Sequence, residues 1–387
     1  MAGIYLHIPF CRQACTYCNF HFTTSLHYKD EVLKSLEKEA ITEKDYFRGE
    51  QVNTIYFGGG TPSLLSINEC NALLQVIRNH YPVADDAEIT LEANPDDITN
   101  DKLAGWKDTG INRLSIGVQS FFEEELKWMN RAHNAKEAFD NLSLARKVFD
   151  NITMDLIYGS PLLTDEMWKQ NVDHATDLDI PHLSCYALTV EEKTPLFKMI
   201  RSDGSMDVNS DKQARQFTML MQWLREKGYQ HYEVSNFAKP GYRSRHNSSY
   251  WNGENYLGLG PSAHSYNGKE RRWNAANNNI YIQQSLTGNF KREAEILTPL
   301  QKLNEYIMIS LRTSEGMNLE EVEKYWGPAT RKEIENGLEQ FMDKGLTERN
   351  LSVVRLTDEG MLLADGIASE LFFTGIDSSV DKAWSNP

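Results

Sequence analysis

Residues 4–20 read IYLHIPFCRQACTYCNF: a short apolar run, then three cysteines, Cys11, Cys15 and Cys18, within eight residues. The run Ile4–Ile8 has the length of a strand, and the thiols follow its C-terminal end. Five more short apolar runs lie downstream: Thr54–Phe57, Ile89–Glu92, Arg113–Val118, Thr153–Ile157 and Leu183–Leu188. Helical patterns separate them, for example Tyr28–Tyr46, Asn68–His80, Lys136–Phe149 and Asp165–Leu178. Strands spaced by helices predict βαβ units and a parallel sheet. Six units predict a full or partial β/α barrel, or an open doubly wound sheet. On such folds the chemistry sits at the C-terminal ends of the strands. Here those ends carry Cys11–Cys18, Gly58–Pro62, Glu92–Asn94, Gln119, Asp155 and Tyr186, and a single site at the barrel mouth would join them.

The rest of the chain bounds this reading. Its 387 residues suggest two domains, or one large domain with an appendage. With 40% hydrophobic and 25% charged residues it is neither collagen-like, disordered nor disulfide-rich. No apolar run approaches the roughly 18 residues of a membrane span, and MAGIYLHIPF lacks the basic start of a signal peptide. The expectation is a cytoplasmic protein without a transmembrane segment, with peripheral membrane association open. A net charge of −15 disfavours general nucleic-acid binding. Five cysteines, three of them clustered, suit a reducing compartment and a metal site rather than a disulfide framework. Cys70 and Cys185, in a helical pattern and a strand, read as core thiols.

The texture changes near Lys212. A helix, Lys212–Lys227, leads into YQHYEVSNF and then a Gly/Asn/Trp-rich stretch through Trp273. From Thr298 the order is helix, short helix, helix, apolar hairpin (Leu346–Leu356) and helix, which resembles a winged helix. Between Thr298 and Phe372 there are 8 Lys/Arg and 14 Asp/Glu, a net of −6, so a lid or docking role is favoured over DNA reading. The expected divisions are 1–210, 211–297 and 298–387.

Three thiolates so close together share a metal or are redox partners. A structural zinc needs four protein ligands, and His21 or His7 could supply the fourth. A four-iron, four-sulfur cubane needs one thiolate per iron. Three cysteines then leave one iron open, which is useful where a small molecule must bind the metal. Spacing alone leaves both readings standing.

The x3, x2 spacing with Tyr17 before the third cysteine resembles the radical S-adenosylmethionine (SAM) enzymes. The stretches YLHIPFCRQACTYCNF, YFGGGTPSLL, LEANPDD, LSIGVQSF, MDLIYGSP and HYEVSNFA resemble, in order, the coproporphyrinogen dehydrogenase (HemN-like) branch. The resemblance covers nearly the whole chain. It implies a partial (β/α)6 radical SAM barrel and a mostly helical, winged-helix-like C-terminal domain. It implies a 4Fe-4S cluster on Cys11, Cys15 and Cys18, whose open iron is chelated by SAM. In that family one electron from the cluster breaks the sulfonium–C5′ bond, giving methionine and a 5′-deoxyadenosyl radical. By the same resemblance Gly59, Gly60 and Thr61 contact the methionine part of SAM. Glu92 and Asp155 hold its polar groups, Gln119 lines its pocket, Arg131 pairs with its carboxylate and Tyr5 lies near the sulfonium.

Two features refine the branch. Phe20 stands where the dehydrogenases have a fourth cysteine, and the first cysteine comes as early as residue 11. His246-Asn247-Ser248-Ser249-Tyr250-Trp251 resembles the HNxxYW element of the HemW proteins, heme chaperones that deliver heme to acceptor heme proteins. That resemblance implies heme as cargo near His246, Tyr250 and Trp251, with Arg243, Arg245, Arg271 and Arg272 available to its propionates. An oxygen-independent coproporphyrinogen III oxidase and a radical SAM methyltransferase or other tailoring enzyme are the alternatives. Whether the chain is an enzyme, its acceptor and its oligomeric state stay open.

Overall fold

A computed structural model describes residues 2–203 and 207–374. The chain divides into two compact units. The first comprises Met1–Gln216 and Gly241–Glu295; the second comprises Phe217–Pro240 and the chain from Ile296 onward.

Six parallel strands form the centre of the first unit: β1 (Ala2–Ile8), β2 (Val52–Gly59), β3 (Val83–Ala93), β4 (Arg113–Gln119), β5 (Ile152–Tyr158) and β6 (His182–Ala187). They pair in chain order, β1 to β6, as successive βαβ units require. The fold is the expected α/β class, a parallel (β/α)6 arrangement with its helices between the strands. Successive strand residues point to opposite faces. One parity is apolar and fully buried, with Ile4, Leu6, Ile55, Phe57, Leu91, Ile116, Met154 and Leu183 among its members. The other parity is polar: Tyr5 and His7, Thr54 and Tyr56, Glu88 and Glu92, Arg113 and Ser115, Thr153 and Asp155, His182 and Ser184. Each fully buried aliphatic side chain contributes about 1.5–3 kcal/mol, so the apolar parity holds the layer together and the polar parity is left for chemistry.

The helices are punctuated locally. Ile67–His80 starts with a capping box, Ser66 with Glu69, and Ala135–Arg146 with another, Asn134 with Glu137. Asn100–Thr109 ends at Gly110 in the left-handed conformation (φ +96°).

β1 has a second neighbour that the sequence reading missed. Asn255–Leu259 pairs with it in parallel, opposite β2, and is followed by the antiparallel strands His264–Tyr266 and Glu270–Asn274. The Gly- and Asn-rich surroundings of Asn255–Leu259 hide its short apolar signal.

In the second unit, Pro299–Leu311 opens with a capping box, Thr298 with Gln301, followed by Pro299 in the first turn. Leu319–Trp326 and Pro328–Asp343 come next, and Met317–Asn318, Thr347–Asn350 and Val353–Leu356 form a three-stranded antiparallel sheet. This is the helix–helix–helix–hairpin order expected of a winged helix. Among the described residues no helix is long and apolar enough to cross a membrane.

Candidate metal and cofactor site

The three cysteines lie in the loop between β1 and the following helix, Lys29–Thr42, and backbone hydrogen bonds close that loop on itself. The Cys11 N–H donates to Thr23 O (3.0 Å), and the Thr23 N–H donates to Pro9 O (2.9 Å). The β2 loop is laced to it by Gly60 N–H to Ile8 O (2.9 Å) and Thr61 N–H to Phe10 O (2.7 Å).

Two staples outside the loop fix its far side. Arg12 donates to Asp97 Oδ1 at 2.6 Å, while Ser63 donates to the other oxygen of that buried carboxylate at 2.7 Å and Lys102 stands 3.6 Å away. Asn130 donates to Ala14 O at 2.7 Å and accepts from Gln13 at 2.8 Å. Its backbone is left-handed (φ +55°), a conformation asparagine tolerates better than most residues.

The loop walls a cavity of about 460 Å³, which Cys11, Cys15, Cys18 and Tyr17 share with Gly59, Gly60, Thr61, Glu92, Gln119, Arg131 and Asp155. Almost all of the expected cluster and SAM residues are therefore brought to one place. Phe20, exposed, and Tyr186 also face it.

Arg131 is the hub. It donates to Cys15 Sγ (3.2 Å), Asn94 Oδ1 (2.9 Å) and Gly117 O (2.7 Å), and its Nη1 lies 3.5 Å from the Tyr17 hydroxyl. Its Nε is buried and has no partner. A buried donor of this kind, beside a cavity, fits an anionic group such as a carboxylate. Gln119 holds a left-handed backbone (φ +68°) at the end of β4. Such a conformation costs of order 1–3 kcal/mol in a residue with a Cβ and marks functional sites.

The carboxylates are poised. Burial is the main cause that raises Glu92 to about 7; the Tyr56 hydroxyl (2.9 Å) and the Gly59 N–H (3.1 Å) oppose it, and nearby Asp155 adds to it. Burial raises Asp155 to about 6 against hydrogen bonds from Ser184 and Ser115. Burial also lifts the Cys11 thiol to about 11 and raises that of Cys18. A metal cation is what would keep such thiols ionised.

The donor set fits a cubane. Three cysteine sulfurs line one cavity, beside which an arginine and two buried carboxylates stand ready for a small zwitterionic ligand. Among the described residues no three His, Cys, Asp or Glu side chains converge on one point to hold a single ion. A cubane needs no such convergence, because each thiolate binds a separate iron.

Gly59 and Gly60, which the resemblance assigns to the methionine part of SAM, also answer a packing need. In the structure a Cβ on Gly59 (φ +107°) would meet the His7 ring at 2.6 Å, and one on Gly60 would meet Phe10 O at 2.7 Å. Their bare Cα atoms make room for β1 and the cysteine loop, and the same residues also line the cavity. Tyr5 does not face the cavity. It packs behind Gly58, with its hydroxyl 3.3 Å from His7 Nδ1.

The HNxxYW residues lie elsewhere. His246 is buried in the helix Arg245–Trp251, capped by Ser244, at the opposite, N-terminal end of the strands. Both ring nitrogens are occupied: Nδ1 lies 2.8 Å from Thr54 Oγ1 and Nε2 lies 2.9 Å from the Tyr250 hydroxyl. Neither is free to ligate iron in this conformation. Arg245, Arg271 and Arg272 have protein partners. Arg245 donates to Asp86 O, Arg271 faces Glu295, and Arg272 pairs with Glu43 while lying over the Tyr46 ring. Among the described histidines only His27 and His264 are exposed.

Comparison with known proteins places these features. The sequence matches the Radical SAM superfamily over residues 5–175 and the HemN C-terminal domain over residues 297–363. It is 33% identical over 371 residues to the heme chaperone HemW of Bacillus subtilis (strain 168), covering 95% of this chain and 98% of that protein. It is 39% identical over 265 residues to the heme chaperone HemW of Escherichia coli (strain K12), covering 68% of this chain and 69% of that one. Among solved structures, coproporphyrinogen III oxidase (HemN) from Escherichia coli, a radical SAM enzyme, superposes with a TM-score of 0.83 at 26% identity, covering 96% of this chain and 90% of that one.

Proposed function

Because this chain belongs to the HemW family of radical SAM proteins, we propose that it is a heme chaperone carrying a 4Fe-4S cluster and SAM. The observation that carries the reading is the near-complete mutual coverage with a heme chaperone of the family, joined to a cavity that holds the three cysteines, Arg131 and the buried carboxylates. Cys11, Cys15 and Cys18 hold the cluster. Arg131, whose Nε is the donor left without a partner, takes the SAM carboxylate, and Glu92 and Asp155 take its ammonium and hydroxyl groups. Gly59, Gly60, Thr61, Gln119 and Tyr17 shape the walls. When bound, the cluster supplies a single electron to SAM. What the chain itself does is orient SAM and hold the Glu92 carboxylate in place through the Tyr56 hydroxyl and the Gly59 N–H. Heme is the cargo, passed to heme-protein acceptors in the cytoplasm or at the membrane face.

The test is a transfer assay. Anaerobically reconstituted protein is loaded with heme and mixed with a heme-free acceptor, and the acceptor's Soret band and activity are followed. Transfer that requires the loaded chaperone supports the reading; a protein that takes up no heme, or never releases it, overturns it. A second reading, coproporphyrinogen III oxidase, is favoured by the superposition on HemN. Incubation with coproporphyrinogen III, SAM and a strong reductant, followed by analysis for protoporphyrin, separates the two.

A further inference from the structure

We propose that His133 is a positioning residue for SAM: by donating to the Val118 carbonyl it holds the turn that presents Gln119 to the cavity. The inference rests on the reading that Gln119 is part of the SAM wall.

The turn is built at the end of β4. The register with β5 slips there, with Gly117 opposite Asp155 and Gln119 opposite Leu156, so Val118 is passed over and forms a bulge. The chain then doubles back at once. The Ser120 N–H donates to Val118 O at 2.9 Å across a single residue, Gln119, whose φ is +68°. That is the γ-turn proteins seldom use, because it is strained. A residue with a Cβ stays in such a conformation only where its surroundings hold it. The Gln119 side chain lies back along the strand. A Cβ on Gly117 would meet Gln119 Nε2 at 2.9 Å and Arg131 Nη2 at 3.3 Å, so the amide and the guanidinium stand together over one bare Cα.

Two clamps hold the turn. On its downstream side Asn171 accepts the Phe121 N–H at 2.8 Å and donates to Ser120 Oγ at 3.2 Å. On its upstream side the tripeptide Arg131-Ala132-His133 takes two successive carbonyls of β4. Arg131 donates to Gly117 O at 2.7 Å, and His133 Nε2 donates to Val118 O at 3.0 Å. A carbonyl only accepts, so the ring proton sits on Nε2. The other nitrogen, Nδ1, is buried and has no partner among the described residues. Burial and the Arg131 guanidinium push the ring down to about 3, so it stays neutral. An apolar side chain would fill this space without stranding a nitrogen. What it could not do is donate to Val118 O. The hydrogen bond, and not the packing, is what the histidine supplies.

The experiment uses the full chain with its cluster reconstituted. It compares His133→Leu, His133→Gln, Gln119→Ala and the double variant His133→Leu with Gln119→Ala against the parent. It reads iron and sulfide content, the SAM dissociation constant and the change SAM makes in the EPR spectrum of the reduced cluster. His133→Leu is expected to weaken SAM about five-fold and to blunt the EPR change, with iron and sulfide at the parent level. His133→Gln restores a donor and is expected to bind SAM within about two-fold of the parent. In the Gln119→Ala background His133→Leu is expected to add nothing, as for two residues acting through one contact. Should His133→Leu not fold, His133→Phe, which keeps a ring without the donor, takes its place in every comparison. Parent-like SAM binding in His133→Leu, with SAM weakened in Gln119→Ala, overturns the inference alone. So do equal losses in His133→Leu and His133→Gln, and losses that add in the double variant. SAM binding unchanged in Gln119→Ala overturns the underlying place of Gln119 in the SAM wall.

Discussion

The two ends of the six-stranded array are built from the same kinds of side chain and serve opposite purposes. At the C-terminal ends, polar groups surround a cavity with capacity to spare: a buried Arg131 Nε without a partner, two carboxylates pushed toward neutrality, and Gln119 in a conformation it does not favour. At the N-terminal ends, polar groups meet each other. Arg113, almost wholly buried, donates to Asn151 at 2.5 Å, to Thr153 and to Tyr242 O at 3.4 Å. Thr54 and Glu88 meet the HNxxYW helix. The lesson is that a polar barrel interior does not by itself mark an active site. What marks one is hydrogen-bonding capacity left unused next to space.

The contrast can be broken most severely at the cysteines. Cys11→Ala, Cys15→Ala or Cys18→Ala should each abolish cluster assembly, measured as iron and acid-labile sulfide after reconstitution. The cluster-free chain should stay folded by circular dichroism, because the Arg12–Asp97 and Asn130 staples hold the loop from outside. Collapse of the fold instead would mean that the mouth is structural in the way the base is.

Arg113→Met is the matching change at the base. It strands the acceptors on Asn151 and Tyr242, and should cost about 2–4 kcal/mol in urea unfolding. Cluster content in the folded fraction should be unaltered. A loss below about 1 kcal/mol would remove the distinction between the two ends.

The smallest effect is on pH. Glu92 and Asp155 have folded values raised by burial to about 7 and about 6, so the folded chain keeps protons that the unfolded chain has released. Their contribution to stability is therefore present at low pH and lost as pH rises through those values. The melting temperature of the cluster-free protein should fall between pH 5 and pH 8, within a few degrees, and Glu92→Gln should flatten that slope. SAM affinity of the loaded protein should run the other way, rising over the same window as Glu92 ionises. A parallel fall would show that the carboxylate does not meet a cation.

The strand array and the cluster loop were legible because each leaves a local mark. Six apolar runs fell on six strands, and three thiols at fixed spacing fell on one wall of the cavity. The strand ends themselves marked Gly58–Pro62, Glu92–Asn94, Gln119, Asp155 and Tyr186, and the family resemblance added Arg131. What stayed hidden is what distant segments do to one another. Asn130 and Asp97 are ordinary loop polars until the fold sets them against Ala14 and Arg12. The sequence hint for Asp97 was the polar NPDD directly after a strand. Nor could sequence tell that the HNxxYW histidine would be buried. An imidazole beside Tyr and Trp reads equally as a metal ligand or as packing, and only the positions of Thr54 and Gly3 decide.

The pairing of Asn255–Leu259 with β1 has a consequence for biosynthesis. The strand that carries the cysteine loop is completed on one side only after some 250 further residues have been made. At ~5–20 residues per second, that is ~12–50 s of translation. Until then β1 is an open edge, the kind of exposed template that invites mispairing. This long sequence separation raises the contact order and slows closure of the sheet. The sheet around the cysteine loop therefore cannot close on that side until the ribosome has passed residue 259.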